Sequence, residues 1–114
     1  MCFLLTPVHC IESVRSSIPK CCLSRDHEVV LTFDDGPLPP HTENILKTLA
    51  SNCAKATFFI VGEMARQFPD LLRRAYDEGH TIGTHTQTHP NLSKLSSSQA
   101  KREIDNGIAS GPPY

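Results

Sequence analysis

The sequence predicts an α/β domain built on a parallel sheet. Three β-prone stretches, at residues 29–33, 56–61 and 80–84, are each followed by residues at helical spacing, and glycine or proline closes the first two. Strand and helix alternate throughout, which calls for crossover connections and parallel strands.

The first stretch, Val29-Val30-Leu31-Thr32-Phe33, reads as a buried core strand that Gly36-Pro37 stops by turn chemistry, leaving Asp34 and Asp35 at its carboxyl end. Pro39-Pro40-His41-Thr42 is a turn with Thr42 as candidate N-cap. Ile45, Leu46 and Leu49 follow at helical spacing. The second stretch, Ala-Thr-Phe-Phe-Ile-Val at 56–61, ends at Gly62. Pro69 suits the first position of a helix that carries Leu71, Leu72, Ala75 and Tyr76 on one face and stops at Gly79. Asp70, Arg73, Arg74, Asp77 and Glu78 form its solvated face. The third strand, His80-Thr81-Ile82-Gly83-Thr84, leads directly into histidines. Ser96-Ser97-Ser98-Gln99 is a capping-box pattern for a helix reaching about Ile108. Residues 1–27 show no period and are expected to be a leader of uncertain order, with the domain over 28–114.

A chain of 114 residues holds one modest core. Its 39% hydrophobic and 20% charged content excludes a wholly disordered chain, and a net charge of -1 provides no electrostatic footprint for nucleic acid or an anionic membrane. Neither partner is expected. Cys2, Cys10, Cys21, Cys22 and Cys53 form no C-x-x-C pair and are odd in number, so free thiols are expected rather than a zinc ribbon or disulfide framework. Phe3-Leu4-Leu5 is shorter than a signal-peptide core and has no basic residue before it. No run approaches the ~20 apolar residues of a membrane span, and the default expectation is a cytoplasmic chain.

Chemistry concentrates at the ends of the first and third strands. In His85-Thr86-Gln87-Thr88-His89-Pro90 two histidines are three residues apart, with only Thr and Gln between them and thus no apolar face to explain the segment as packing. Parallel strands bring their carboxyl ends to one edge, which would set these imidazoles beside Asp34-Asp35. Two imidazoles and one carboxylate form a three-ligand site that keeps a position open for water, while the second carboxylate takes the proton. The competing reading makes the aspartates caps of the turn before Gly36-Pro37. A metalloprotease helix is excluded because position 86 is Thr where it needs Glu. His41-Thr42-Glu43 imitates part of an iron-oxygenase triad without the β-rich fold that supplies its third ligand. No glycine-rich phosphate loop occurs, and His9, His27 and His80 read as structural or solvent-facing.

Thr32-Phe33-Asp34-Asp35-Gly36-Pro37 and His85-Thr86-Gln87-Thr88-His89-Pro90, with Ala-Thr-Phe-Phe-Ile-Val-Gly and Glu78-Gly79-His80 between them, resemble the first two motifs of the polysaccharide deacetylases with a NodB homology domain, carbohydrate esterase family four. The resemblance spans residues 29–108. It implies the first three βα units of a distorted (β/α) barrel. It also implies a hydrolase that removes acetyl groups from N-acetylglucosamine units in chitin oligomers, peptidoglycan or similar glycans. Asp34 corresponds to the catalytic base. Asp35, His85 and His89 correspond to ligands of a divalent metal, expected to be zinc. The family's proton donor, a histidine of a later motif, has no counterpart in this sequence, and Gly111-Pro112-Pro113-Tyr114 has Gly where the third motif has Arg. Impaired turnover is therefore expected, as is self-association through an open sheet edge. The alternative expectation is a nonenzymatic remnant that binds metal or glycan, or a module completed by a partner chain.

Overall fold

The computed structural model describes residues 29–111. The expectations for the leader at 1–27, for His9, His27 and the four cysteines before Cys53, and for the tail at 112–114 lie outside them. Contacts divide the chain into two units, Met1–Val30 and Leu31–Tyr114. Of the first unit only Val29 and Val30 are described, and both are exposed.

The second unit runs β1 (Thr32–Gly36), α1 (His41–Ser51), β2 (Thr57–Ile60), α2 (Gly62–Gln67), α3 (Pro69–Asp77), β3 (Thr81–Thr84) and α4 (Ser97–Ser110), with a short 3₁₀ turn at Leu92–Lys94 before α4. The three strands form one parallel sheet in the order β1-β2-β3, as the alternating pattern predicted. Thr32, Thr57 and Thr81 lie in one row across it, and Phe33, Phe58 and Ile82 in the next. Successive residues of a strand point to opposite faces, so the second row joins the helices while the threonine row faces away. Phe33 stacks on Phe58 with ring centroids 5.3 Å apart.

The core lies between β2 and the helices. Leu46 and Leu49 of α1, Phe58 and Ile60 of β2, and Leu72 and Ala75 of α3 are buried together. Leu46 is fully inaccessible, which for a leucine side chain contributes roughly 1.5–3 kcal/mol relative to exposure. In α3, Pro69 occupies the first helical turn and Leu71, Leu72 and Ala75 are buried, while Tyr76 is 43% exposed and leaves the expected face only partly covered. Arg73–Asp77 and Arg74–Glu78 pair along its solvent side, and Gly79 ends the helix at φ +82°, a conformation that favours glycine.

Four expectations need correction. The first strand is an outer strand beginning at Thr32, not a core strand at 29–33; among the described residues it has a neighbour on one side only, and Leu31 is 42% exposed. Thr42 does not precede α1 as N-cap but lies inside its first turn, because its Oγ1 accepts from the Leu38 N–H at 2.9 Å and its own N–H donates to the Leu38 carbonyl. Gly62 stops β2 but also opens α2, a helix too short to show a period in the sequence. Cys53 is disulfide-bonded rather than a free thiol. Among the described residues, no helix is long and apolar enough to cross a membrane.

Candidate metal centre

The carboxyl ends of the three strands form one edge. Val61 donates its N–H to the Gly36 carbonyl at 3.1 Å and His85 donates to the Ile60 carbonyl at 2.8 Å, so the residues that leave β1, β2 and β3 are hydrogen-bonded neighbours. Pairing is regular from Thr32↔Thr57 to Phe33↔Phe58 and resumes at Gly36↔Ile60, which leaves Asp34 and Asp35 opposite the single residue Phe59. Two residues against one is a β-bulge, a device that re-aims a side chain beside a functional site. Asp35 accordingly takes φ +68°, in the left-handed region that aspartate tolerates better than most residues. Its carboxylate is turned toward the loop that follows β3.

That loop brings His85 and His89 to Asp35. The His85 Nε2 lies 3.5 Å from the Asp35 Oδ1, and the His89 Nε2 lies 3.3 Å from the same oxygen. The two rings sit with centroids 4.9 Å apart. One ligand atom from each residue falls within 4.8 Å of the others, and no other such trio occurs among the described residues. These separations are long for an N–H···O hydrogen bond, which peaks near ~2.9 Å. They instead approximate the edge of a tetrahedron whose corners stand ~2.0–2.2 Å from its centre, the bond length of zinc to imidazole or carboxylate. Neutral imidazoles and a carboxylate also suit such an ion chemically, so the residues present fit the metal that the sequence motifs imply.

Asp34 lies on the strand beside Asp35. It is exposed, and with Asp35, Phe33, Leu38 and His41 it lines a concavity of about 190 Å³. The structure thus brings Asp35, His85 and His89 together as expected and sets Asp34 at the same edge. His41 and Glu43 do not join the trio, so the triad-like reading of His41-Thr42-Glu43 gains nothing. His80 is buried and structural, as expected: its Nδ1 accepts the Ala56 N–H at 3.3 Å and its ring packs edge-on against Phe58. Burial, with the nearby Lys55 ammonium adding to it and Glu78 opposing, holds its pKa below the ordinary value of 6.5.

The histidine loop is held from outside itself, by residues that sequence reasoning missed. Thr86 and His89 both adopt the left-handed region, at φ +63° and +55°. Such residues cost on the order of 1–3 kcal/mol each and persist where their surroundings impose them. The first N–H groups of α2, which no side chain caps, supply part of that constraint: Gly62 donates to the Thr86 carbonyl and Glu63 to the Gln87 carbonyl. Gln87, between the two histidines, is buried, and its Oε1 accepts from the Ser110 hydroxyl at 2.7 Å. A β-carbon on Gly62 would stand 2.3 Å from that same oxygen. From α4, the Glu103 Oε2 accepts both the Thr88 N–H at 2.9 Å and its hydroxyl at 3.1 Å. The available signal was Gly107, since a glycine inside a capped helix marks a close approach.

Comparison with known proteins places the chain among relatives. A family model described as polysaccharide deacetylase matches residues 24–109. The chain is 48% identical over 77 residues to the peptidoglycan-N-acetylglucosamine deacetylase of Bacillus cereus, covering 68% of this chain and 28% of that protein. It is 47% identical over 81 residues to the chitooligosaccharide deacetylase of Rhizobium leguminosarum bv. trifolii, covering 71% of this chain and 38% of that one. Among solved structures it superposes on a family 4 carbohydrate esterase from Streptomyces lividans in complex with acetate, with TM-score 0.68 and 38% identity over 72% of this chain and 42% of the esterase. A peptidoglycan N-acetylglucosamine deacetylase crystallised with a benzamide ligand gives TM-score 0.71 at 44% identity, covering 73% and 39%. The chain thus spans well under half the length of each of these relatives.

Proposed function

This chain belongs to the polysaccharide deacetylase family, and from that premise we propose that it is a metal-dependent hydrolase acting on N-acetyl groups of N-acetylglucosamine-containing glycans. The observation that carries the proposal is the pair of Nε2–Oδ1 separations, 3.5 and 3.3 Å, that put two imidazoles and one carboxylate at the corners a small divalent cation requires. Zinc is the cation we assign, and a set of two nitrogen donors and one oxygen donor also accepts cobalt, manganese or iron. The names of the relatives support the glycan class, peptidoglycan or chitin oligomers.

Asp35, His85 and His89 would hold the ion. A bound zinc supplies Lewis acidity and lowers the pKa of water toward ~7. Asp34, adjacent in sequence to the ligand Asp35 and open to solvent, is the base that removes a proton from the attacking water. The water oxygen bonds to the acetamide carbonyl carbon, the proton taken up by Asp34 passes to the amide nitrogen as the carbon–nitrogen bond breaks, and acetate and the amine are released. Thr86 and Gln87 orient the histidines rather than react. The outward position of Asp34 at the sheet edge leaves room for a polymer lying across it.

The test is a zinc titration of the chain by calorimetry, run beside His85→Ala, with acetate release from N-acetylglucosamine oligomers measured on the same samples. Stoichiometric binding that the substitution abolishes, together with acetate release, supports the proposal. Binding without acetate supports a metal-binding domain that lacks turnover, and no binding refutes the metal assignment.

A further inference from the structure

The two candidate metal-binding histidines are secured by different means. His85 directly follows β3, and its N–H is tied to the Ile60 carbonyl, so the sheet fixes its backbone. His89 has no strand behind it. Its N–H donates to the Thr86 Oγ1 at 3.1 Å within the same loop, and Thr86 is itself in the left-handed region. The constraint from another element that lies nearest to His89 is therefore the one on the residue before it, where Glu103 of α4 takes both Thr88 donors on a single carboxylate oxygen.

We propose that Glu103 is a positioning residue for the metal centre: by binding the Thr88 N–H and hydroxyl it fixes the turn into His89 and so sets the His89 imidazole against Asp35. Several features of α4 serve the same contact. The reciprocal Ser96–Gln99 capping box starts the helix about two turns before Glu103 and sets its register. Gly107, one turn later, lets the helix reach the Thr86 backbone. Ser110 completes the row by donating to Gln87. Glu103, Gly107 and Ser110 are spaced four and three residues apart and share one face of the helix. That face meets the loop from Thr86 to Thr88. Outer groups that orient ligands typically change metal affinity 10–100-fold when removed. Because Glu103 acts on the backbone beside His89 rather than on the imidazole, about 10-fold is expected.

The inference rests on the metal reading above, and its test separates the two. Cobalt(II) is titrated into the unaltered chain, Glu103→Ala and Glu103→Gln, reading affinity by calorimetry and ligand geometry by the visible absorption of the bound ion. Glu103→Ala is expected to bind about 10-fold more weakly with an altered spectrum. Glu103→Gln keeps an oxygen acceptor and is expected to recover both to within about threefold. Wild-type affinity and spectrum in Glu103→Ala would overturn the proposal, as would equal losses in the two variants. If Glu103→Ala does not fold, Thr88→Val removes one of the two bonds; weakened binding supports the role and unchanged binding overturns it. If the unaltered chain binds no cobalt, the metal reading fails, and amide exchange decides the brace separately. Thr88 N–H protection that is present in the unaltered chain and Glu103→Gln but lost in Glu103→Ala supports it, and protection unchanged in Glu103→Ala overturns it.

Discussion

Gly107 and Thr86 meet so closely that a β-carbon on the glycine would lie 2.6 Å from the Thr86 carbonyl carbon and 2.8 Å from its oxygen. Helix propensity alone would make Gly107→Ala stabilising by roughly 1 kcal/mol. Here the obstacle is backbone, which cannot swing aside as a flexible side chain can, and overpacking of this kind costs typically 1–3 kcal/mol. Gly107→Ala is therefore expected to lower the urea midpoint. It is also expected to weaken metal binding, because the displaced loop carries both histidines.

Asp34 and Asp35 are adjacent, yet they are expected to respond differently to substitution. Asp35→Asn removes the carboxylate that faces both imidazoles and should weaken zinc binding at least tenfold. Asp34→Asn should leave binding within about threefold while abolishing acetate release, since a carboxamide cannot take the proton. Calorimetry and an acetate assay on the same preparations check both outcomes.

His80 gives the fold a pH dependence of definite sign. Its folded pKa lies below 6.5, chiefly through burial. Above that value the side chain is neutral in both states and contributes no slope. As pH falls below it, the unfolded chain takes up a proton that the folded one resists, so stability declines until the folded pKa is passed. Urea midpoints measured from pH 7.5 to 5 should fall. His80→Asn, which can keep an acceptor for the Ala56 N–H, should flatten that part of the decline.

Leu46 has no accessible surface and touches the packing of α1 on β2. Leu46→Ala is expected to cost about 2–5 kcal/mol, the range for a leucine deletion whose cavity cannot collapse. Because a domain of this size has only about 5–15 kcal/mol in all, the substitution should remove a large share of the stability and lower both the melting temperature and the urea midpoint. Thermal and urea denaturation followed by circular dichroism would show it.

The secondary structure was most legible where a periodic pattern coincided with a stop signal. Pro69, the Leu71-Leu72-Ala75 face and Gly79 located α3, and Ser96 with Gln99 located the start of α4. The first strand was misread because Val29, Val30 and Leu31 look like core residues in sequence, and apolarity does not disclose that a strand lies at the side of its sheet. Thr42 carried the right residue type for a cap but spent its hydroxyl on Leu38. The six residues of α2 are too few for a 3.6-residue period to register.

The sequence by itself determined the chemical groups and their order along the chain: paired carboxylates after one strand, paired histidines after another, and an α/β alternation that sends both to the same edge. Those features are local, since strand ends, caps and spacings follow from neighbouring residues. Only the tertiary structure decided that a bulge opposite Phe59 turns Asp35 toward His85 and His89, and that α4 holds the histidine loop through Glu103, Gly107 and Ser110. The reason is physical: register between strands, and hydrogen bonds joining residues 15 or 23 positions apart in the chain, depend on how whole elements pack. A lone exposed-looking glutamate carries no trace of that in the residues beside it, and Gly107 inside a capped helix marks a close approach without disclosing what approaches.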